Sequence, residues 1–359
     1  MFKMIPELNN ASVRMRDRGQ VETIISNMQR AGASTLQVIS DFDMTLTRFA
    51  HKGKRCPTTH NILHNTTLIS EECKAKMSDL VAYYYPIEID SLKSVEEKIP
   101  HMEEWWTQAH ALLIKQRIRK DQLAQAVRAS GAMLREGYSS FFDMLKENSV
   151  PLLIFSAGVG DILEEVIIGH GVFSSNVRVF SNYMDYDKDG FACAFKGELI
   201  HTFNKREGAL QNIHQFVHDR TNVLLLGDSL GDLDMADGVQ DLKNILRIGY
   251  LNDKVEERRE AYVSSYDIVL EEDETLDVPN AILNYITAGE GSQKHEETRV
   301  ETPHCQKRHL PKETRLQTPH CQKHYLPEET RVETPHCQKR QKCSSAKGTP
   351  ASQPLAKQE

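Results

Sequence analysis

Apolar residues follow two rhythms along this chain. Short runs rich in Val, Ile and Leu recur at 36–40, 151–155, 177–180, 222–226, 244–248 and 266–270. Runs of that length bounded by turn residues predict strands buried on both faces. Between most of them lie segments with apolar positions three and four apart, at 159–170, 205–217, 253–262 and 278–286, which predict helices. Val21, Ile24, Ile25 and Met28 show the same spacing ahead of the first run, with Gly32 where that helix would end. Strands alternating with helices predict an α/β fold built on a doubly wound parallel sheet. Its chemistry is expected at the carboxyl ends of the strands.

About a hundred residues separate the first two runs, far more than one crossover needs. Helical patterns at 71–81, 94–119 and 121–129 make this interval an inserted helical cap at 54–135, leaving 1–53 and 136–290 as the core. A smaller insertion at 182–203 is expected to be a β-hairpin. From Glu297 a period of sixteen takes over: ETRVETPHCQKRHLPK, ETRLQTPHCQKHYLPE, ETRVETPHCQKRQK. Each unit has too few apolar residues to build a core, so 291–359 is expected to be a disordered tail. Its three His-Cys pairs lack zinc-finger spacing.

The 359 residues carry a formal net charge of −7. From Gly291 onward there are about 13 Lys and Arg against about 8 Asp and Glu, which leaves the preceding body near −12. An acidic body argues against a nucleic-acid polymer as partner, since that needs a basic face. Of seven cysteines only Cys56, Cys73 and Cys193 precede the tail, far apart, and they read as reduced thiols. The N-terminus has no apolar signal-peptide region, and no run is long enough to span a bilayer. A cytoplasmic monomer without membrane contact is the expectation.

Four motifs carry the candidate chemistry. Asp41-Phe42-Asp43-Met44-Thr45 ends the first run, and residues i and i+2 of an extended segment point to the same side. One carboxylate can then attack an electrophile while the other handles a proton, with a hard cation between them. Ser156-Ala157-Gly158 follows the second run and offers a small hydroxyl and backbone amides to phosphate oxygens. Lys205 can neutralise charge on a transferring phosphoryl group. Gly227-Asp228-Ser229-Leu230-Gly231-Asp232 supplies carboxylates that complete an oxygen-ligand site for Mg2+. Singly, Ser156 reads as a helix cap, Lys205 as a solvated first-turn residue and Asp228 as a turn residue. In this order, each after its own strand, they read as one phosphoryl-transfer site.

The series resembles the four motifs of haloacid-dehalogenase-type phosphatases. That resemblance makes Asp41 the nucleophile, Asp43 the general acid/base, Ser156 and Lys205 the phosphate-binding pair, and Asp228 and Asp232 metal-site acids. The metal would be held by the Asp41 carboxylate, the Asp43 carbonyl and Asp228, with Asp232 in support. The segments DFDMTLTRFA, YYYPIEID, HMEEWWTQAH, IFSAGVGDILE, FNKREGAL and GDSLGDLDMADG resemble more narrowly the cytosolic pyrimidine/7-methylguanosine 5′-nucleotidase family, over about residues 10–287. Trp105-Trp106 resembles its 7-methylguanosine phosphate branch rather than its pyrimidine branch. The substrate implied is a nucleoside 5′-monophosphate, with Glu88 and Trp106 recognising the base. A 7-methylated guanine is cationic, so a Trp face above it gains about 0.5–2 kcal/mol over a neutral base. Glu88 can accept from the guanine N1–H and N2–H. His110 and Phe49 could close the same pocket.

Other readings fare less well. Gly227 to Gly231 also fits the nucleophile elbow of a Ser esterase, but no His lies between Leu230 and Lys294 to complete a triad. Residues 185–190 imitate an EF-hand opening, yet the twelfth position is Lys196, and a turn of the small hairpin is the better reading. A non-catalytic binder of methylated nucleotides would have no need of an attacking carboxylate.

Overall fold

The computed structural model describes residues 5–90, 92–205 and 216–288. Strand β1 (Val13–Arg14) and helix α1 (Arg18–Ala31) lead to β2 (Leu36–Asp41), the first apolar run. The small hairpin β3 (Ala50–His51) and β4 (Lys54–Arg55) opens a helical insertion. This comprises α2 (Thr59–His64), α3 (Glu71–Glu88), α4 (Val95–Lys115) and α5 (Leu123–Ser130). The chain returns through α6 (Tyr138–Glu147) to β5 (Leu152–Val159), α7 (Gly160–Gly169) and β6 (Val177–Asn182). A second hairpin, β7 (Met184–Tyr186) with β8 (Ala192–Phe195), precedes β9 (Asn222–Gly227), β10 (Asn244–Leu251), α8 (Val255–Ser265), β11 (Ile268–Glu271) and α9 (Asp277–Thr287).

The main sheet runs β1-β11-β10-β9-β2-β5-β6, parallel except for β1 at the edge. Every residue of β2 and of β9 is buried, as central strands covered on both faces must be. Leu36 and Val38 join a core with Val21, Ile25 and Met28 of α1 and Ile282 and Ile286 of α9. Ile39 points to the opposite face, with Leu153, Leu225, Tyr262 and Tyr266. The chain leaves β2 towards β5 on one side and later fills β9, β10 and β11 on the other. The ends of β2, β5 and β9 therefore meet where the strand order reverses, the place where open α/β sheets hold ligands.

The mostly parallel sheet with its helices matches the sequence expectation, with differences at the ends and in short elements. Helix α3 continues to Glu88, past Pro86, rather than stopping near 81. Helix α4 ends at Lys115, and Arg117 takes a φ of 51° that no helix continues through. The β3–β4 hairpin, α2 and α6 were not anticipated. The first two are too short to show a period, and α6 buries only Phe141, Phe142 and Leu145. The expected helix at 205–217 falls largely, and the repeat tail entirely, outside the described residues.

Candidate active site

Asp41 is the last residue of β2, but Asp43 is not part of the extended strand. Beyond Asp41 the chain winds tightly around the Phe42 carbonyl, which accepts from the amides of Thr45, Leu46 and Thr47 at 3.3, 3.0 and 3.0 Å. Met44 adopts a φ of 67° to make this turn. Strand alternation thus brings Asp41 to the sheet's end, whereas the turn aims Asp43. The turn is held from behind by Arg135, which is fully buried. Its guanidinium donates to the carbonyls of Thr45 (2.7 Å), Met44 (2.5 Å) and Asp273 and lies 3.9 Å from the Tyr250 ring centroid.

Lys205 joins the acids. Its Nζ donates to Asp41 Oδ1 at 2.6 Å and to Asp232 Oδ1 at 3.1 Å. Asp232 spends its other oxygen on its own loop, accepting from the amides of Asp228 and Ser229 and from Ser229 Oγ. Ser229 therefore serves the loop and is no nucleophile elbow. Behind the loop, Tyr262 and Tyr266 hydroxyls donate to the carbonyls of Asp228 and Ser229 at 2.6 and 2.5 Å.

Ser156 lies in an irregularity of β5, where the register with β6 shifts between Phe155 and Val159. A break of this kind frees backbone groups from the ladder beside a site. Ser156 Oγ accepts from the Gly158 amide at 3.1 Å, which leaves its own hydrogen to give. The Ala157 carbonyl is turned away to Asn182 Nδ2 (2.9 Å) and to Trp106 Nε1 (2.7 Å) on α4.

Burial governs the electrostatics. It raises the Asp41 carboxyl to about 7, with Lys205 pulling the other way and Asp232 adding to the rise. Asp43 is pushed up to about 6 by burial, opposed by hydrogen bonds from Thr59. Burial, with Asp41 and Asp232 nearby, lifts Asp228 well above the usual carboxylate range. Burial also disfavours the Lys205 ammonium, but Asp232 and Asp41 outweigh it and hold its pKa above the ordinary value. Asp41, Asp228 and Asp232 each bring a carboxylate oxygen within 4.8 Å of the others. Among the described residues these three acids meet the Lys205 ammonium, with the Arg135 guanidinium also near enough to Asp228 to act on it, and their all-oxygen donor set suits a hard divalent cation.

The expected base-recognition residues are spread around this centre. Glu88, at the end of α3, accepts from Thr202 Oγ1 at 2.5 Å and lies close enough to Lys205 to feel its charge. Trp106 lines a cleft of about 500 Å3 with Trp105 and His60. His110, 7% exposed, stacks on Phe195 at 3.7 Å, and its Nε2 is unpartnered among the described residues. Phe49 has the Arg55 guanidinium 4.4 Å from its ring centroid and gives its amide to Glu274. Among the described residues no ring contact joins Phe49 or His110 to Trp106. Thr59 and Arg135 went unnoticed in the sequence. A lone Thr and a lone Arg carry no pattern, and only contact with the motif residues distinguishes them.

The description "Pyrimidine 5'-nucleotidase (UMPH-1)" belongs to the family model that matches residues 44–287. The 7-methylguanosine phosphate-specific 5'-nucleotidase of Homo sapiens is 57% identical over 288 residues, covering 80% of this chain and 96% of that protein. Its counterpart A in Xenopus laevis is 54% identical over 286 residues, 79% of this chain and 99% of that protein. Among solved structures, cytosolic 5'-nucleotidase IIIB bound to cytidine superposes with a TM-score of 0.73 at 34% identity, covering 81% of this chain and 99% of that one.

Proposed function

Because the chain belongs to the pyrimidine 5′-nucleotidase family, we propose that it is a Mg2+-dependent phosphomonoesterase hydrolysing 7-methylguanosine 5′-monophosphate to nucleoside and phosphate. The cytidine-bound relative favours CMP as a second substrate. The observation that carries the reading is the 2.6 Å contact of Lys205 with Asp41 at the sheet's switch point. It sets a buried carboxylate beside a cation that can follow the charge of a phosphoryl group.

In this reading an Asp41 oxygen bonds to phosphorus while the bond to the 5′-oxygen breaks. That oxygen keeps the electron pair and takes a proton from Asp43. Water then attacks the aspartyl phosphate and gives its proton to Asp43. Orthophosphate leaves and both carboxyl groups are restored. Ser156 and the Ala157 backbone hold phosphate oxygens, and Lys205 steadies the equatorial charge. Asp41, the Asp43 carbonyl and Asp228 would hold Mg2+, with Asp232 in support. When bound, the ion supplies Lewis-acid stabilisation of the transferring phosphoryl group.

Specificity is assigned to the insertion, 54–135. Trp106 gives its face to the cationic base, Glu88 accepts from its edge, and Phe49 and His110 enclose it. Among the described residues no helix is long and apolar enough to cross a membrane. A cytosolic monomer acting on free nucleotides completes the reading.

Phosphate release from 7-methyl-GMP, CMP and GMP, with EDTA and after Mg2+ is restored, tests it. Rapid hydrolysis of 7-methyl-GMP, lost with EDTA and regained with Mg2+, is expected. Metal-independent turnover, or no turnover on any of the three, would sink it.

A further inference from the structure

We infer that Thr59, the first residue of α2, is the positioning residue for the Asp43 carboxyl. The inference rests on the assignment of Asp43 as general acid. Asp43 lies on a turn beyond its strand, so no neighbouring strand fixes its side chain. Thr59 holds both its oxygens: the amide donates to Oδ1 at 2.9 Å and the hydroxyl to Oδ2 at 2.8 Å. A two-point grip from one residue sets both the direction and the plane of a carboxyl group.

Thr59 is itself fixed. It is 1% exposed, and its Oγ1 accepts from the Val159 amide at 3.4 Å. The neighbouring loop leaves room for this hydroxyl and nothing more, since a Cβ on Gly158 would fall 2.0 Å from Thr59 Oγ1. One hydroxyl thereby links the turn after β2, the broken end of β5 and the start of the helical insertion.

The two contacts differ in kind. An amide can only donate, so Oδ1 remains an acceptor throughout and the transferable proton belongs on Oδ2. A hydroxyl can donate or accept. Here it donates to one lone pair of Oδ2 and leaves the other to carry the proton, so the contact persists without the carboxyl turning as that proton passes to the 5′-oxygen. The aim of Asp43 then survives both half-reactions.

The test compares two leaving groups on the intact enzyme with Mg2+. A nucleoside 5′-oxygen needs a proton to depart, whereas p-nitrophenolate leaves without one. First-turnover rates are measured for nucleoside release from 7-methyl-GMP and for the p-nitrophenolate burst from p-nitrophenyl phosphate. Thr59→Val keeps the shape and the amide but removes the hydroxyl. It should slow nucleoside release about ten- to a hundredfold, on the scale of a misaimed catalytic group, with KM nearly constant and the burst reduced far less. Thr59→Ser should restore most of the rate. Thr59→Ala provides the same comparison if Val disturbs folding, judged by melting midpoint. Asp43→Asn should show the same discrimination more strongly. If Asp43→Asn discriminates between the leaving groups and the Thr59 variants lose equally on both or lose nothing, the inference is overturned and the role of Asp43 stands. If Asp43→Asn does not discriminate, the acid assignment itself falls, and the inference with it.

Discussion

Two side chains allow sharp tests at the scale of single residues. Asp41→Asn preserves shape but removes both the attacking oxygen and a charge that a cation needs, so a folded protein without measurable turnover is expected. Substantial hydrolysis at unchanged metal content would remove Asp41 from the nucleophile role. Trp106 is more complicated because it has two duties, its ring lining the cleft and its indole N–H anchoring α4 to the Ala157 carbonyl. Trp106→Ala should cost roughly 1–3 kcal/mol, about five- to a hundredfold in kcat/KM, on 7-methyl-GMP and less on CMP. Trp106→Phe keeps a smaller ring and loses only the anchor. Equal losses for both variants on both substrates would mean that Trp106 packs the insertion and reads no base.

At the scale of elements, the turn between β2 and β3 depends on a residue 91 positions away from Met44, Arg135. Its guanidinium donates to the carbonyls of Thr45, Met44 and Asp273, and Asn252 Nδ2 shares the Met44 carbonyl with it. Arg135→Met should destabilise by about 3–5 kcal/mol, the scale for removing one member of a buried charged network, and should lower activity as the turn carrying Asp43 loosens. Denaturant midpoints and phosphate release on the same samples measure both. Unchanged kcat in a measurably destabilised variant would show that the turn holds itself.

For the whole molecule, buried acids tie stability to pH and to metal. Asp41 rises from 3.8 to about 7 and Asp43 from 3.8 to about 6 on folding, chiefly through burial. At these two groups the folded state therefore holds more protons than the unfolded one between these limits, so their contribution to metal-free stability falls as pH rises from about 4 to 7. It is opposed by His60 and His110, which burial holds down to about 4 and about 3; Asp41→Asn and Asp43→Asn should each flatten that fall. A divalent cation needs the ionised carboxylates, so its effect has the opposite sign. At a hundredfold excess over its Kd, Mg2+ should add about 2.7 kcal/mol. The rise in melting midpoint should be small at pH 5 and larger at pH 8, and a rise independent of pH would place the ion elsewhere. All the proposed site residues lie between Asp41 and Asp232, so truncation after Glu290 should leave kcat/KM nearly unchanged.

Sequence alone determined the sheet's main strands, because a strand covered on both faces is dominated by apolar residues, as in Leu36, Val38 and Ile39 or Val223, Leu224, Leu225 and Leu226. It also supplied the candidate reacting groups. An acid at a strand's end, a Ser after the next strand, a Lys and a further acidic pair remain visible however the chain folds. Tertiary structure decided which of them touch and what aims them. The contact of Lys205 with Asp41 spans 164 positions, and Arg135 reaches its carbonyls across 90 or more. Nothing local in the sequence records such pairings, since they arise only when the crossing order of the strands closes the sheet. The grip of Thr59 on Asp43 is hidden for a second reason. It uses a backbone amide, which every residue but proline possesses, and only geometry selects the one that serves.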